Sequence, residues 1–334
     1  MFIIENYSVA VLFCIITMFC WGSWANTQKL AAASWRFELF YWDYVLGILL
    51  LTVVFAFTLG SIGEVGRSFL PDLAQADNTH IGSAILGGII FNAANILVVA
   101  AISIAGMSVA FPVGIGLALV LGVLNNYRSN PVGNAALLFT GVAAVAVAIV
   151  LNAIAYRRLS AAKQGSSNVS YKGLLLAVLG GILMGFFYKY VADSMFPDFK
   201  QPEPGKLSAY TALVLFSVGI VLSNIVFNTL IMRKPFSGLP VGYGQYFKGS
   251  FKDHLTGIAG GIIWAVGMSF SIIASDKAGP AISYGLGQGA TVIAAIWGIY
   301  IWKEFKDSPK GTSTILTLMF ILYILGLGLI IQAR

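Results

Sequence analysis

Polar and aromatic side chains interrupt the apolar stretches of this 334-residue chain at spacings that put them in stripes. Thr17, Trp21, Trp24 and Gln28 recur at intervals of four, three and four, the period of one helix face. Indole faces stack on flat rings, and an amide supplies a donor and an acceptor together, so this stripe suits a planar heterocycle or a sugar ring. Asn92 and Asn95 share a second face, Tyr284, Gln288 and Thr291 a third, and Trp264, Met268 and Ser271 a fourth, with Ser269 beside it. Polar groups in a lipid-spanning helix are costly unless they meet a cavity or one another, which makes these residues candidates for solute contact. Each has a plainer reading as well: Trp24 and Gln28 as an interfacial belt, the two asparagines as an interhelical hydrogen bond, Trp264 as packing.

Coupling to protons needs a group that changes charge. The candidates are Asp43, at the start of the second apolar stretch, and Glu38 just before it. Asp43 also has the alternative role of a helix-start charge at the positive dipole end. Tyr188 and Lys189 are a possible gate, although a lysine near a span end commonly snorkels to the interface. His80 and His254 stand at span edges far apart in sequence, and no His, Cys or acidic set has metal-ligand spacing. No phosphate loop, nucleophile elbow or zinc-protease motif falls within a span. The expectation is a protein with no catalytic residues, no metal and no cofactor.

The elements that must position these groups follow from composition. At 58% hydrophobic and 10% charged residues, with a mean hydropathy of +0.85, the chain reads as an integral membrane protein whose partner is the lipid bilayer. Ten spans are expected, at 7–28, 42–60, 81–103, 107–126, 133–155, 171–192, 208–232, 255–275, 279–302 and 312–332. The first carries Glu5 and no basic residue at its start, which fits a retained helix better than a cleaved leader. Cys14 and Cys20 lie on different faces of it. Alternate loops collect thirteen and six of the 20 Lys and Arg residues, so the net charge of +7 is explained by positive-inside topology rather than by nucleic acid. Both termini are then expected outside a cell membrane, with the 156–171 connection in the cytoplasm.

Residues 85–116 overlay 258–289 without a gap at a displacement of 173, with ten identities in 32 positions that include Gly87/Gly260, Gly88/Gly261, Gly106/Gly279 and Gly114/Gly287. Five spans per half is odd, so the second copy enters from the other side of the membrane. The expected fold is all-α: ten transmembrane helices as two inverted five-helix repeats, 1–158 and 171–334, joined by a linker at 159–170. The copies differ where chemistry is expected. Asn92 and Asn95 face Ala265 and Met268, and Gln288 faces Ile115, while Phe111 matches Tyr284 as an aromatic.

The runs GSWANTQKL at 22–30, YWDYVLGILL at 41–50, TLGSIG at 58–63, GGIIFNAANI at 87–96 and GMSVAFPV at 106–113 resemble the ureide permease family of the drug/metabolite transporter superfamily. The resemblance implies a two-repeat permease that takes up oxo-derivatives of nitrogen heterocycles with protons. Plant members carry a long central loop with a glycine motif resembling a nucleotide site, and this chain has only a short linker. Sugar-uptake families of the rhamnose and glucose type share the architecture. The expected function is a secondary-active symporter of a small polar solute, a ureide, nucleobase-type heterocycle or nucleoside. The alternatives are a monosaccharide permease and an exporter of amino acids or drugs.

Overall fold

Asn6 opens α1 (Tyr7–Ser23) by accepting the Val9 N–H on its side chain. The computed structural model describes the chain apart from residues 107–109 and 165–169 and the side chains of Phe111, Lys163 and Gln164. After α1 the helix tightens to a 3-10 form over Trp24–Leu30. There follow α2 (Phe37–Phe57), a short α3 (Phe69–Gln75), α4 (Asn78–Ala105), a π turn (Phe111–Ile115) running into α5 (Gly116–Ser129), and α6 (Ala135–Gln164). The second half of the chain contains α7 (Tyr171–Asp193), α8 (Ala209–Arg233), a single turn α9 (Tyr243–Tyr246), α10 (Phe251–Ala278), α11 (Pro280–Gly287), α12 (Ala290–Ile296) with a π turn at Trp297–Ile301, and α13 (Thr312–Gln332).

Among the described residues nine helices are long and apolar enough to cross a bilayer, and there is no β-strand beyond one isolated bridge between Met195 and Leu207. The chain is a multi-pass all-α membrane protein. The expected span at 107–126 corresponds to the π turn and α5, with residues 107–109 outside the described set.

Several boundaries differ from the sequence reading, two of them with consequences for the expected linker and for Glu38. The helix α6 continues through Gln164, because Leu159, Ala161 and Ala162 are good helix formers, so the first part of the expected linker is helical. Residues 165–169 of that linker are outside the described residues. The helix α2 begins at Phe37, five residues before the expected span, with Glu38 in its positive first turn.

Glycines set the closest approaches. A Cβ on Gly88 of α4 would collide with the Phe216 carbonyl of α8, and one on Gly261 of α10 with the Tyr44 carbonyl of α2. Likewise Gly219 of α8 abuts the Ile85 carbonyl, and Gly47 of α2 abuts that of Ile258. The partners are related pairwise: Gly88 and Ile85 lie 173 residues before Gly261 and Ile258, and Tyr44 and Gly47 lie 172 before Phe216 and Gly219. One backbone-to-backbone seam is thus built twice, α4 on α8 and α10 on α2. Without a hydrophobic drive between helices in lipid, such close packing is a main source of association energy. Gly106 and Gly279 end α4 and α10 at φ 76° and 83°, conformations that favour glycine, and so make the two matching hairpin turns.

Candidate functional site

A cavity of about 410 Å³ opens among α1, α4, α7, α10 and α12. Its walls are mostly aromatic. Phe91 lies 4.4 Å from Trp264 and 5.2 Å from Phe187 between ring centroids, and Trp21 stacks on Trp264 at 5.9 Å with planes 12° apart. Gln288 stands between Gly287 and Gly289 where α11 passes into α12, and there the ninth expected span tightens into i→i−3 turns beside the cavity while staying hydrogen-bonded. Gln288 is only 8% exposed, yet among the described residues its amide has no hydrogen-bond partner in the protein. Trp21 Nε1 also has no partner among the described residues, but it is buried against Gly267 of α10.

The mouth lies on the side of the connections at 30–37 and 302–312, where two non-α segments face each other. Trp297 Nε1 donates to Ser23 Oγ at 2.8 Å, and Trp302 Nε1 donates to Asn26 Oδ1 at 2.8 Å. Lys29 sits 3.7 Å from Glu304 and 4.2 Å above the Trp302 ring, and Tyr156 donates to the same carboxylate at 2.9 Å. Lys29 and Glu304 are the charged residues of the cavity lining, and they neutralise each other.

The opposite end is sealed. Tyr188 of α7 lies 3.0 Å from Ser271 Oγ and 3.1 Å from the Ser271 carbonyl, and Ser283 Oγ donates to that carbonyl at 2.6 Å. The Tyr284 hydroxyl reaches the Ala118 and Met184 carbonyls, both at 3.1 Å, and its ring fills the space that Gly122 leaves. Beyond this plug a second, more polar pocket of about 370 Å³ is lined by Asn126, Asn130, Phe199, Ser275 and Asp276.

Of the residues singled out from sequence, Trp21, Trp24, Gln28, Asn95, Trp264 and Gln288 line the cavity. Asn92 does not. Its amide accepts from Tyr41 and donates to Ser223 Oγ, both at 2.9 Å, joining α2, α4 and α8. Asn95 donates to the same Tyr41 hydroxyl at 3.1 Å, so Tyr41 organises both asparagines. Ser269 is fully buried away from the cavity, and Tyr284 belongs to the plug. The Phe111 side chain lies outside the described residues. Tyr188 closes the plug, whereas Lys189 turns outward to pair with Asp193. Glu38 pairs with Arg36 at 2.5 Å beside a different pocket. Asp43 is not a solvated helix-start charge: it is 2% exposed and contacts His254 and Tyr246. Tyr41, Trp297, Trp302 and Glu304 were missed, since in sequence they read as aromatic span content and loop charge.

Ureide permease 1 of Arabidopsis thaliana is 22% identical over 387 residues, covering 100% of this chain and 99% of the relative, and Ureide permease 2 is similar at 22% over 395 residues. A probable glucose uptake protein, GlcU of Priestia megaterium, is 25% identical over 230 residues, covering 66% of this chain and 69% of its own length. A crystal structure of another protein shares the fold at a TM-score of 0.58 and 15% identity, covering 97% of this chain and 96% of that one. Full-length similarity to permeases makes the chain a transporter of small solutes and not an enzyme. Residues 12–331 match the family described as Sugar transport protein, and the chain belongs to that family.

Proposed function

We propose that the protein is a secondary-active, proton-coupled importer of an uncharged polar solute, a nucleobase-type heterocycle, ureide or nucleoside. It would bind that solute between two inverted five-helix halves and expose it to each side in turn. The observation that carries this reading is the Gln288 amide, held in an aromatic cavity and without a protein partner among the described residues. A planar ring stacks on Trp21 or Trp264 while its carbonyl or N–H groups meet that amide. Among the described lining residues the charges are Lys29 and Glu304, which face each other and sum to zero, and this favours an uncharged solute. The doubled glycine seam supports two inverted halves at 1–158 and 171–334. On the positive-inside reading the open mouth faces the cytoplasm and the plug at Tyr188 closes the outer path of a cell membrane.

The family and its GlcU relatives favour a monosaccharide as the second reading. Thermal unfolding of the purified protein with uracil, allantoin, uridine and glucose separates the two. A bound ligand at a hundred times its dissociation constant stabilises by about 2.7 kcal/mol, and a heterocycle is expected to give that shift. A shift with glucose alone replaces the heterocycle by a sugar, and a shift only with charged amino acids contradicts both.

A further inference from the structure

Asp43 and His254 meet at the mouth-side end of the α2–α10 seam. His254 Nδ1 lies 3.0 Å from both Asp43 oxygens, and the Tyr246 hydroxyl donates to Oδ1 at 2.7 Å. The imidazole stands edge-on to Trp35 at 5.0 Å and to Tyr246 at 4.8 Å, and a quarter of its side chain reaches solvent (25%) while the Asp43 side chain is 3% exposed. Gly257 makes the room, since a Cβ there would strike that of Asp43.

The seam has a counterpart in which this pair is missing. The displacements that carry Tyr44 to Phe216 and Gly261 to Gly88 carry Asp43 to Leu215 and His254 to Ile81. Close backbone packing of this kind is therefore compatible with two aliphatic side chains. A buried carboxylate facing an imidazole across two helices is an addition to the seam, and a costly one if it only packs.

We propose that the Asp43–His254 pair is the site where the co-transported proton binds and from which it is released, a reading that rests on the transport function above. With a neutral imidazole the pair carries one negative charge, and with one proton more it is a neutral pair. A net charge in a dry seam costs far more than a paired one, so rearrangements that dehydrate this end favour the protonated pair. The proton enters and leaves through the exposed imidazole and is carried off by water. Tyr246 stays a donor throughout, because burial and the adjacent carboxylate raise its phenol well above the ordinary value. Of the other charged groups nearby, Lys248 and Lys252 are exposed to solvent and the acidic ones are engaged elsewhere. Asp253 of α10 accepts from Ser250 and from the Ala32 N–H, Glu38 is paired with Arg36, and against α2 the helix α8 brings neutral Met232 and Asn228.

The test uses the purified full chain in proteoliposomes with radiolabelled uracil and glucose as probes. Solute counterflow, which needs no proton movement, is compared with accumulation driven by an imposed pH gradient. Asp43→Leu/His254→Ile, which installs the residues of the counterpart seam, together with Asp43→Asn and His254→Gln, is expected to keep counterflow within about twofold and to lose at least about tenfold in driven accumulation. Driven accumulation at the wild-type level in the double variant overturns the proposal. So does parallel loss of counterflow and accumulation in all three variants, which marks a structural role. A wild-type protein without counterflow of either probe contradicts the transport reading itself, a separate outcome.

Discussion

Gly261→Val is expected to unfold at a markedly lower temperature than wild type in detergent, and Gly88→Val to do the same. In both cases the new side chain starts inside a carbonyl of the facing helix, and neither backbone can yield without separating the whole seam. Overpacking a well-filled core costs about 1–3 kcal/mol even where side chains can give way. Here only backbone is available to move, so about 3 kcal/mol or more is expected, a large part of the 5–15 kcal/mol that a typical fold has. Size-exclusion profiles and thermal unfolding of the solubilised variants provide the check. Gly328→Ala in α13 is the internal control, because a Cβ there meets nothing within 4 Å. It is expected to be neutral or to stabilise by about 0.5–1 kcal/mol through its higher helix propensity. Wild-type stability in Gly261→Val would show that the seam does not hold the fold together.

Gln288→Leu separates binding from folding. The volume is nearly kept and no described hydrogen bond of the protein is lost, so the melting temperature without solute stays within about 1 °C of wild type. The solute's carbonyl or N–H groups, however, enter the cavity with no amide to meet them. An unpaired polar group costs about 1–3 kcal/mol, so affinity falls roughly tenfold to a hundredfold. Gln288→Glu is expected to do worse, since the carboxylate cannot donate and the aromatic walls offer it no counter-charge. Equal affinity in Gln288→Leu and wild type would remove Gln288 from the site.

The cavity was legible in the sequence to the extent that single helices carry it. Trp21 and Trp24 line one wall as their spacing predicts, Gln28 reaches it from the 3-10 segment, and Gln288 stood out because its repeat partner is Ile115, whereas Thr17 of the same stripe donates to the Gly267 carbonyl instead. Asn92 carries the same signal as Asn95 and differs only in its neighbours. Tyr41 and Ser223, 51 and 131 residues away, use up its amide. The same limit hid His254. At a span edge it has no periodic meaning, and only the α2–α10 packing sets it against Asp43, 211 residues earlier. The glycines announced a repeat through identity alone, but which helices they press together depends on side chains and carbonyls from the other half of the chain. The tightening of α1 at Trp24 and of the ninth span at Gln288 were also invisible, since local apolar content continues unchanged through both.

Reciprocal cysteine reactivity tests alternating access most directly. With Cys14 and Cys20 replaced, Ala294→Cys reports the cavity mouth and Ser275→Cys the pocket beyond the Tyr188 plug. Labelling each with an impermeant maleimide, with and without saturating solute and an imposed proton gradient, is expected to show opposite changes, one site losing reactivity as the other gains it. Reactivity at both sites that rises and falls together, or that ignores solute and gradient, would contradict a carrier that opens to one side at a time.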